Sequence, residues 1–297
     1  MLNALTGAVE LGLLYGLMAL GVYITFRILN FPDLTVDGSF VTGGGIAAVM
    51  ITSGYSPWLA TAAAFVGGLA AGAVTGLLHT KGKINALLSG ILMMIALYSI
   101  NMRIMGKPNI GLLRMPTIFD HLDPMWMGII IIVIVKILLD LFFHTDYGLA
   151  LRATGDNPRM IRSFGANTDN TTILGVSLSN GLVALSGALI AQQSAFADIS
   201  MGIGMIVIGL ASVIIGEAIF GARTVIRATL AVVLGSIVYR IVVTLALRVD
   251  WLETADMKLI TAFLVVVALV FPSMSRARKE RNLARRRASE IVNSVTA

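Results

Sequence analysis

Apolar residues in this chain come in uninterrupted runs of roughly 20, the length of helix that crosses the ~30 Å hydrocarbon core of a bilayer. Inside hydrocarbon every backbone N–H and C=O must be paired within the protein, so only helices and closed barrels can span it. The runs are continuous and do not alternate with period two, which removes the barrel. The fold class that follows is all-α: a polytopic transmembrane helical bundle. Nine spans are expected (eight to ten), at about 2–26, 36–52, 57–79, 84–105, 124–143, 173–195, 203–220, 224–246 and 258–272. Composition agrees, because 13% of residues are charged and 57% hydrophobic, against about 25% charged in an ordinary soluble domain. Residues 1–275 therefore form one transmembrane domain and 276–297 a basic tail. The stretch Met1 to Phe26 lacks a basic leading region and carries Glu10, so it reads as the first span and not as a cleaved signal peptide. With no Cys, neither a disulfide framework nor a thiolate metal site is available.

Lys and Arg orient the bundle, since basic residues concentrate on the cytoplasmic side. Placing the tail in the cytoplasm and alternating backwards puts Arg27, Lys81, Lys83, Arg152, Arg159, Arg162, Arg223, Arg227 and the seven basic residues of the tail on that side. That is fifteen of the 22; Arg103, Lys107, Arg114, Arg248 and Lys258 fall opposite, and Lys136 and Arg240 lie within spans. With nine spans the N-terminus is external and the C-terminus cytoplasmic. The tail reads as a topology anchor that also meets anionic lipid headgroups. Nucleic acid is not an expected partner, because the other basic residues sit at membrane borders.

Ionisable and polar groups inside spans are costly and are functional candidates by default. Glu10 and Arg240 fall at matched depth in spans one and eight and are expected to pair, either as a structural ion pair or facing a solute. Lys136 and Asp140, four residues apart, should pair with each other, and Glu217 lies near the inner end of its span. Asp37, Ser39, Asn85, Asn101, Gln192 and Gln193, with Asn180, either bond between helices or line a pathway. Gly68, Gly72 and Gly76 recur every four residues and make a flat helix face, the signature of close helix packing. The string Asn30 to Ser39 puts Pro32, Asp33 and Asp37 just before a Gly-rich helix, which Thr35 or Asp37 is placed to cap. A related string, Ala197 to Gly204, precedes a later span: Pro32-Asp33-Leu34-Thr35-Val36 aligns with Ala197-Asp198-Ile199-Ser200-Met201. One string lies inside and the other outside, the pattern of an inverted repeat, whose interrupted segments point to a translocation pathway.

The longest cytoplasmic connection runs from about 144 to 172. Asp156-Asn157-Pro158 is a helix start, with an Asp or Asn cap and Pro at the first helical position. Arg159, Met160, Ile161, Arg162, Ser163 and Phe164 give about two turns, and Gly165 stands where a left-handed C-terminal cap is wanted. Met160, Ile161 and Phe164 are apolar while Arg159 and Arg162 are basic. A helix that short is not stable alone in water, so it needs a surface, either its own bundle or a partner.

The stretch from Gly148 to Asp169, GLALRATGDNPRMIRSFGANTD, resembles the cytoplasmic coupling loop of ABC importer permeases of the branched-chain amino acid and ribose type. Gly21 to Leu34, GVYITFRILNFPDL, is similar to that family's first-span exit, and Ser186 to Leu189 with the glycine-rich run to Gly221 and Ala222 is similar to its later spans. The resemblance covers about residues 10–272. Ser99 to Ile110 further resembles a subgroup linked to aromatic amino-acid uptake. The chain departs from the Glu-Ala-Ala signature of other importers, having Leu151-Arg152-Ala153.

The resemblance implies a permease subunit that dimerises around a central pathway, here as a homodimer in a bacterial inner membrane. It implies cytoplasmic ATPase subunits below, contacted by Asp156 to Met160 and Arg162 to Gly165, and an extracytoplasmic solute-binding protein above. The solute would be small, organic and amino-acid-like. The chain itself has no phosphate loop, Lys81-Gly82-Lys83 not being one, so it is not an enzyme, and ATP and Mg belong to the partner ATPase. His79, His121 and His144 are scattered and make no metal spacing. The alternative is an ion-coupled secondary transporter, with Glu10, Asp140 or Glu217 as the coupling group.

Overall fold

The computed structural model describes residues 2–120 and 122–247, with the single positions 259, 262, 263 and 266. Its helices are α1 (Leu2–Val22, continued by a π-helical turn Tyr23–Ile28), α2 (Thr35–Thr52), α3 (Pro57–Thr80), α4 (Ala86–Met105), α5 (Pro124–His144), α6 (Asp146–Asp156), α7 (Pro158–Ser163), α8 (Thr168–Ser194), α9 (Met205–Phe220) and α10 (Val225–Ala246). Among the described residues seven helices are long and apolar enough to cross a membrane, and α9, at 16 residues, is a shorter apolar helix. These eight match the first eight expected spans. The ninth, 258–272, and the tail, 276–297, lie outside the described residues apart from the four single positions.

Local sequence sets the helix ends. Ser56, Asn85, Asn157, Asn167 and Thr224 each accept a bond from a first-turn amide through their side chains, satisfying donors that a helix start leaves open. Gly106 closes α4 at φ +67°, a conformation that costs glycine nothing. The expected cap of α2 is corrected. Neither Thr35 nor Asp37 caps it; Asp33 does, its Oδ1 accepting from the Thr35 amide at 2.9 Å. The reason is geometric: two residues upstream a carboxylate folds back onto the chain, whereas Asp37 already lies inside the first turn.

The bundle is organised about two central helices, α1 and α8, which run antiparallel. The Ser179 hydroxyl donates to the Gly21 carbonyl and the Ser186 hydroxyl to the Leu14 carbonyl, each at 2.7–2.8 Å. α8 packs on α2 and α3, and α1 packs on α9 and α10. Glycine makes the approach close: a Cβ on Gly72 would stand 2.4 Å from the Val176 carbonyl oxygen, and one on Gly68 2.4 Å from Ala184 Cβ. The flat face of α3 is therefore helix packing. The triplets α1–α2–α3 and α8–α9–α10 correspond in order and packing but run in opposite directions. In the segment leading into each middle helix the aligned aspartates make the same turn, Asp33 Oδ1 accepting from Thr35 N at 2.9 Å and Asp198 Oδ1 from Ser200 N at 2.7 Å.

One face of the bundle carries α6, α7, Arg27, Lys81, Lys83, Arg223 and Arg227. The opposite face carries a two-stranded antiparallel sheet, β1 (Asn109–Gly111) with β2 (Phe196–Asp198), in the register Asn109 to Asp198 and Gly111 to Phe196. Large apolar side chains of α4 and α5, such as Ile95, Ile134, Leu138 and Leu141, remain exposed in the single chain.

Candidate functional site

Two places bring the expected residues together. The first is the middle of the bundle, where α2 begins. Asp33 is fully buried; its second oxygen accepts from Asn180 Nδ2 at 2.7 Å, and Asn180 Oδ1 accepts from the Ser39 hydroxyl at 2.7 Å. The Thr35 and Thr75 hydroxyls meet at 2.9 Å. Asn101 accepts from the Thr42 hydroxyl at 2.8 Å and donates to the Gly38 carbonyl at 3.1 Å. Every polar group here has a partner, as a low-dielectric interior requires, and the network ties α2, α3, α4 and α8 together.

Asp37 points the other way. Its carboxylate accepts from the Gly204 and Ile206 amides, both at 2.9 Å, so a residue of α2 caps the start of α9. This happens because residues 199–204 turn back from the strand face into the bundle: the Gly202 backbone lies so close that a Cβ there would be 2.1 Å from the Asp37 carbonyl oxygen. A cavity of about 420 Å³ lies beside this contact, lined among others by Asp37, Met94, Tyr98, Ser99, Asn101 and Ile203.

Of the remaining polar residues, Asn85 is a helix cap, its Oδ1 accepting from the Leu87 amide at 3.0 Å. Gln192 is buried and structural: it accepts from the Ile118 amide at 3.2 Å and donates to Thr61 at 2.9 Å. The expected Glu10–Arg240 ion pair is corrected. Glu10 accepts from Gln193 Nε2 at 3.3 Å, while the Arg240 guanidinium lies 4.7 Å from the centre of the Tyr15 ring. Matched depth does not bring two residues together when each helix turns its side chain to a nearer neighbour, here α8 for one and the ring of Tyr15 for the other. Lys136 does pair with Asp140, whose other oxygen accepts from the Thr229 hydroxyl at 2.7 Å, and Glu217 pairs with Arg27 at 3.0 Å. On the strand face the Asp198 carboxyl is held below the usual carboxylate range, first by the Ser200 hydroxyl and then by the Ser200 amide. Among the described residues no three His, Asp or Glu side chains gather as a metal site.

The second place is the basic face. Asn157 Oδ1 accepts from the Met160 amide at 3.1 Å, Pro158 is the first helical residue, and Gly165 adopts φ +85°. α7 buries no residue; Phe164 is 77% exposed and Met160 48%. The two arginines differ. Arg162 turns back to the next span, its Nε donating to the Thr168 hydroxyl at 2.6 Å and its terminal nitrogen to Asp169 at 3.2 Å. Arg159 stays exposed. α6, which the sequence does not announce as a helix, is anchored to α8 and to the π-helical turn and leads directly into α7: the Thr154 and Thr171 hydroxyls meet at 2.9 Å, and Gly155 fits against the Ile28 carbonyl.

Sequence reasoning missed Asp33 as the hub of the buried network and Tyr98 and Ser99 as cavity lining. The signal for Asp33 was present in its alignment with Asp198. Nothing in the order of residues marked Tyr98 as facing a cavity, because the rotation of α4 decides which of its side chains line it.

The family described as branched-chain amino acid transport system / permease component matches residues 4–270. The tyrosine transport system permease protein of Clostridioides difficile (strain R20291) is 45% identical over 271 residues, 91% of this chain and 92% of that protein. The probable branched-chain amino acid transport permease protein LivH of Methanocaldococcus jannaschii is 26% identical over 62% of this chain and 64% of its own length. The ribose import permease protein RbsC of Escherichia coli (strain K12) is 29% identical over 58% and 56%. No solved structure matches the chain. The continuous match across the described bundle, extending to residue 270, places the chain in the branched-chain amino acid transport system permease family, the membrane-spanning permeases of ABC importers.

Proposed function

We propose that this permease imports an amino acid with an aromatic side chain across a bacterial inner membrane, working as a homodimer with two cytoplasmic ATPase subunits and an external solute-binding protein. The observation that carries the reading is α7, a capped two-turn helix with Phe164 and Arg159 projecting from the basic face and no side chain buried in its own bundle. Such a helix completes its packing on a partner, and an ATPase on that side would move α6 and α7 when it binds ATP and Mg. The segment 144–172 is thus the coupling loop, the basic face is cytoplasmic, the tail shares that side and the N-terminus is external. The substrate class follows the tyrosine permease that is 45% identical. The three acids named above as coupling groups for an ion-coupled carrier are already engaged: Asp140 with Lys136, Glu217 with Arg27, and Glu10 with Gln193.

The test is uptake of labelled L-tyrosine into proteoliposomes holding the permease, its ATPase and its binding protein. Uptake is expected only with ATP and Mg on the cytoplasmic side, and to persist when the membrane potential is collapsed. Uptake that follows an ion gradient without ATP overturns the reading.

A further inference from the structure

Asp37 presents an unusual charge balance. Ionised side chains removed from water are normally paired with an opposite charge. Among the described residues no Lys, Arg or His pairs with Asp37, and none lines the cavity beside it. Its described partners are the backbone amides at the start of α9, Gly204 and Ile206 at 2.9 Å together with Met205. A carboxylate has about four lone-pair positions, so acceptor capacity remains after those bonds. Asp33, the other acid of this region, is different: it is enclosed, with Asn180 and Thr35 filling its surroundings, and it lines no described cavity.

The cavity next to Asp37 measures about 420 Å³, within the roughly 300–1,000 Å³ of small-molecule sites. Its walls are mostly apolar, with the Met94 thioether and the ring of Tyr98 on α4 and Ile203 on the returning segment. Tyr98 is 58% exposed, so its ring is available to a ligand. Aromatic rings stack on one another and contact thioethers favourably. The arrangement is one carboxyl group with no cationic partner among the described residues, at the edge of a pocket with aromatic and thioether walls.

We infer that this cavity is a substrate site within the permease, in which the Asp37 carboxylate receives the α-ammonium group of an aromatic amino acid and Tyr98 and Met94 receive its ring. The site rests on the proposed amino-acid import and adds to it a place in the membrane where the solute is recognised after leaving the binding protein. The ammonium donates to the carboxylate positions left open by the α9 amides, a charge-assisted bond stronger than a neutral one.

The experiment uses the full chain in nanodiscs with three probes: L-tyrosine, tyramine, which keeps the ammonium and lacks the carboxylate, and 3-(4-hydroxyphenyl)propionate, which lacks the ammonium. L-tyrosine and tyramine are expected to raise the melting temperature in sodium or in choline buffer, and the propionate is not. A shift with the propionate, no shift with tyramine, or a shift that requires sodium overturns the site. In proteoliposomes holding the whole importer, Asp37→Asn, which keeps size and one capping acceptor, is expected to lower tyrosine uptake about tenfold or more, the loss of a hydrogen bond to a charged group. Tyr98→Ala is expected to raise the KM for tyrosine, and an unchanged KM overturns the placement of the ring against α4. Wild-type tyrosine uptake alongside an unimpaired Asp37→Asn protein refutes this site alone; ATP-independent uptake or none by the wild type refutes the proposed function. Where Asp37→Asn does not assemble, the three-probe comparison on the wild type decides.

Discussion

Replacing Asn180 by Ala tests whether the buried network holds the bundle. Asn180 Nδ2 donates to the fully buried Asp33 carboxylate at 2.7 Å and its Oδ1 accepts from Ser39 at 2.7 Å. The first bond reaches a charged acceptor, for which roughly 1.5–3 kcal/mol is typical, and leaving the Ser39 hydroxyl unpaired adds about 1–3 kcal/mol. The expected loss is therefore roughly 2.5–6 kcal/mol, before any cavity term. At about 2–4 °C per kcal/mol for chains of 150–250 residues, the melting temperature should fall by roughly 10 °C. The assay is thermal unfolding in nanodiscs at one fixed scan rate, because membrane proteins of this size tend to unfold irreversibly. Asp33→Ala and the double variant complete a cycle. Residues in one network are coupled by about 0.5–3 kcal/mol, so the double variant should lose clearly less than the sum. A fall of under about 2 °C for Asn180→Ala, or strict additivity in the cycle, would refute the network as a stabilising unit.

Three further outcomes follow. Arg159→Ala with Phe164→Ala should abolish co-purification with the ATPase while shifting the melting temperature by no more than about 2–4 °C, since exposed substitutions usually stay within about 0.5 kcal/mol each; unchanged co-purification removes α7 from the interface. Gly72→Leu should prevent or severely weaken folding, because even a Cβ there would lie 2.4 Å from the Val176 carbonyl oxygen and overpacking costs typically about 1–3 kcal/mol or more; normal expression and melting would show that α3 and α8 are farther apart. Arg240→Met should cost only about 0.5–2 kcal/mol, the size of a cation–π contact, and less than Asn180→Ala; a loss of about 3–5 kcal/mol, typical of breaking a buried ion pair, would restore Glu10 as its partner.

The eight described spans were legible in the sequence because hydrocarbon imposes a rule on consecutive residues: long uninterrupted apolar runs have no other stable place. The caps of α7 were legible for a similar reason. Asn157, Pro158 and Gly165 act on backbone groups within a few residues of themselves, so their order alone predicts a helix with a start and an end. Lys136 with Asp140 belongs to the same class, being one turn apart on a single helix.

What the sequence could not decide were contacts across helices. Hydropathy gives the depth of Glu10 and Arg240 but not the rotation of α1 and α10, and rotation sends one to Gln193 and the other to Tyr15. Asp37 looked like a cap for its own helix and caps α9 instead, because residues 199–204 fold back to bring amides 167 and 169 positions away to meet it. Asp33 shows both sides. Its turn with Thr35 is local, and the parallel with Asp198 and Ser200 was readable in the string, whereas its burial and its bond to Asn180 exist only once α2 lies along α8. Pairing of a backbone group with a neighbour two to four residues away is written in the order of residues. Which face of a nearly uniformly apolar helix meets which neighbour is set by close packing among all of them at once, and that was decided by the tertiary structure.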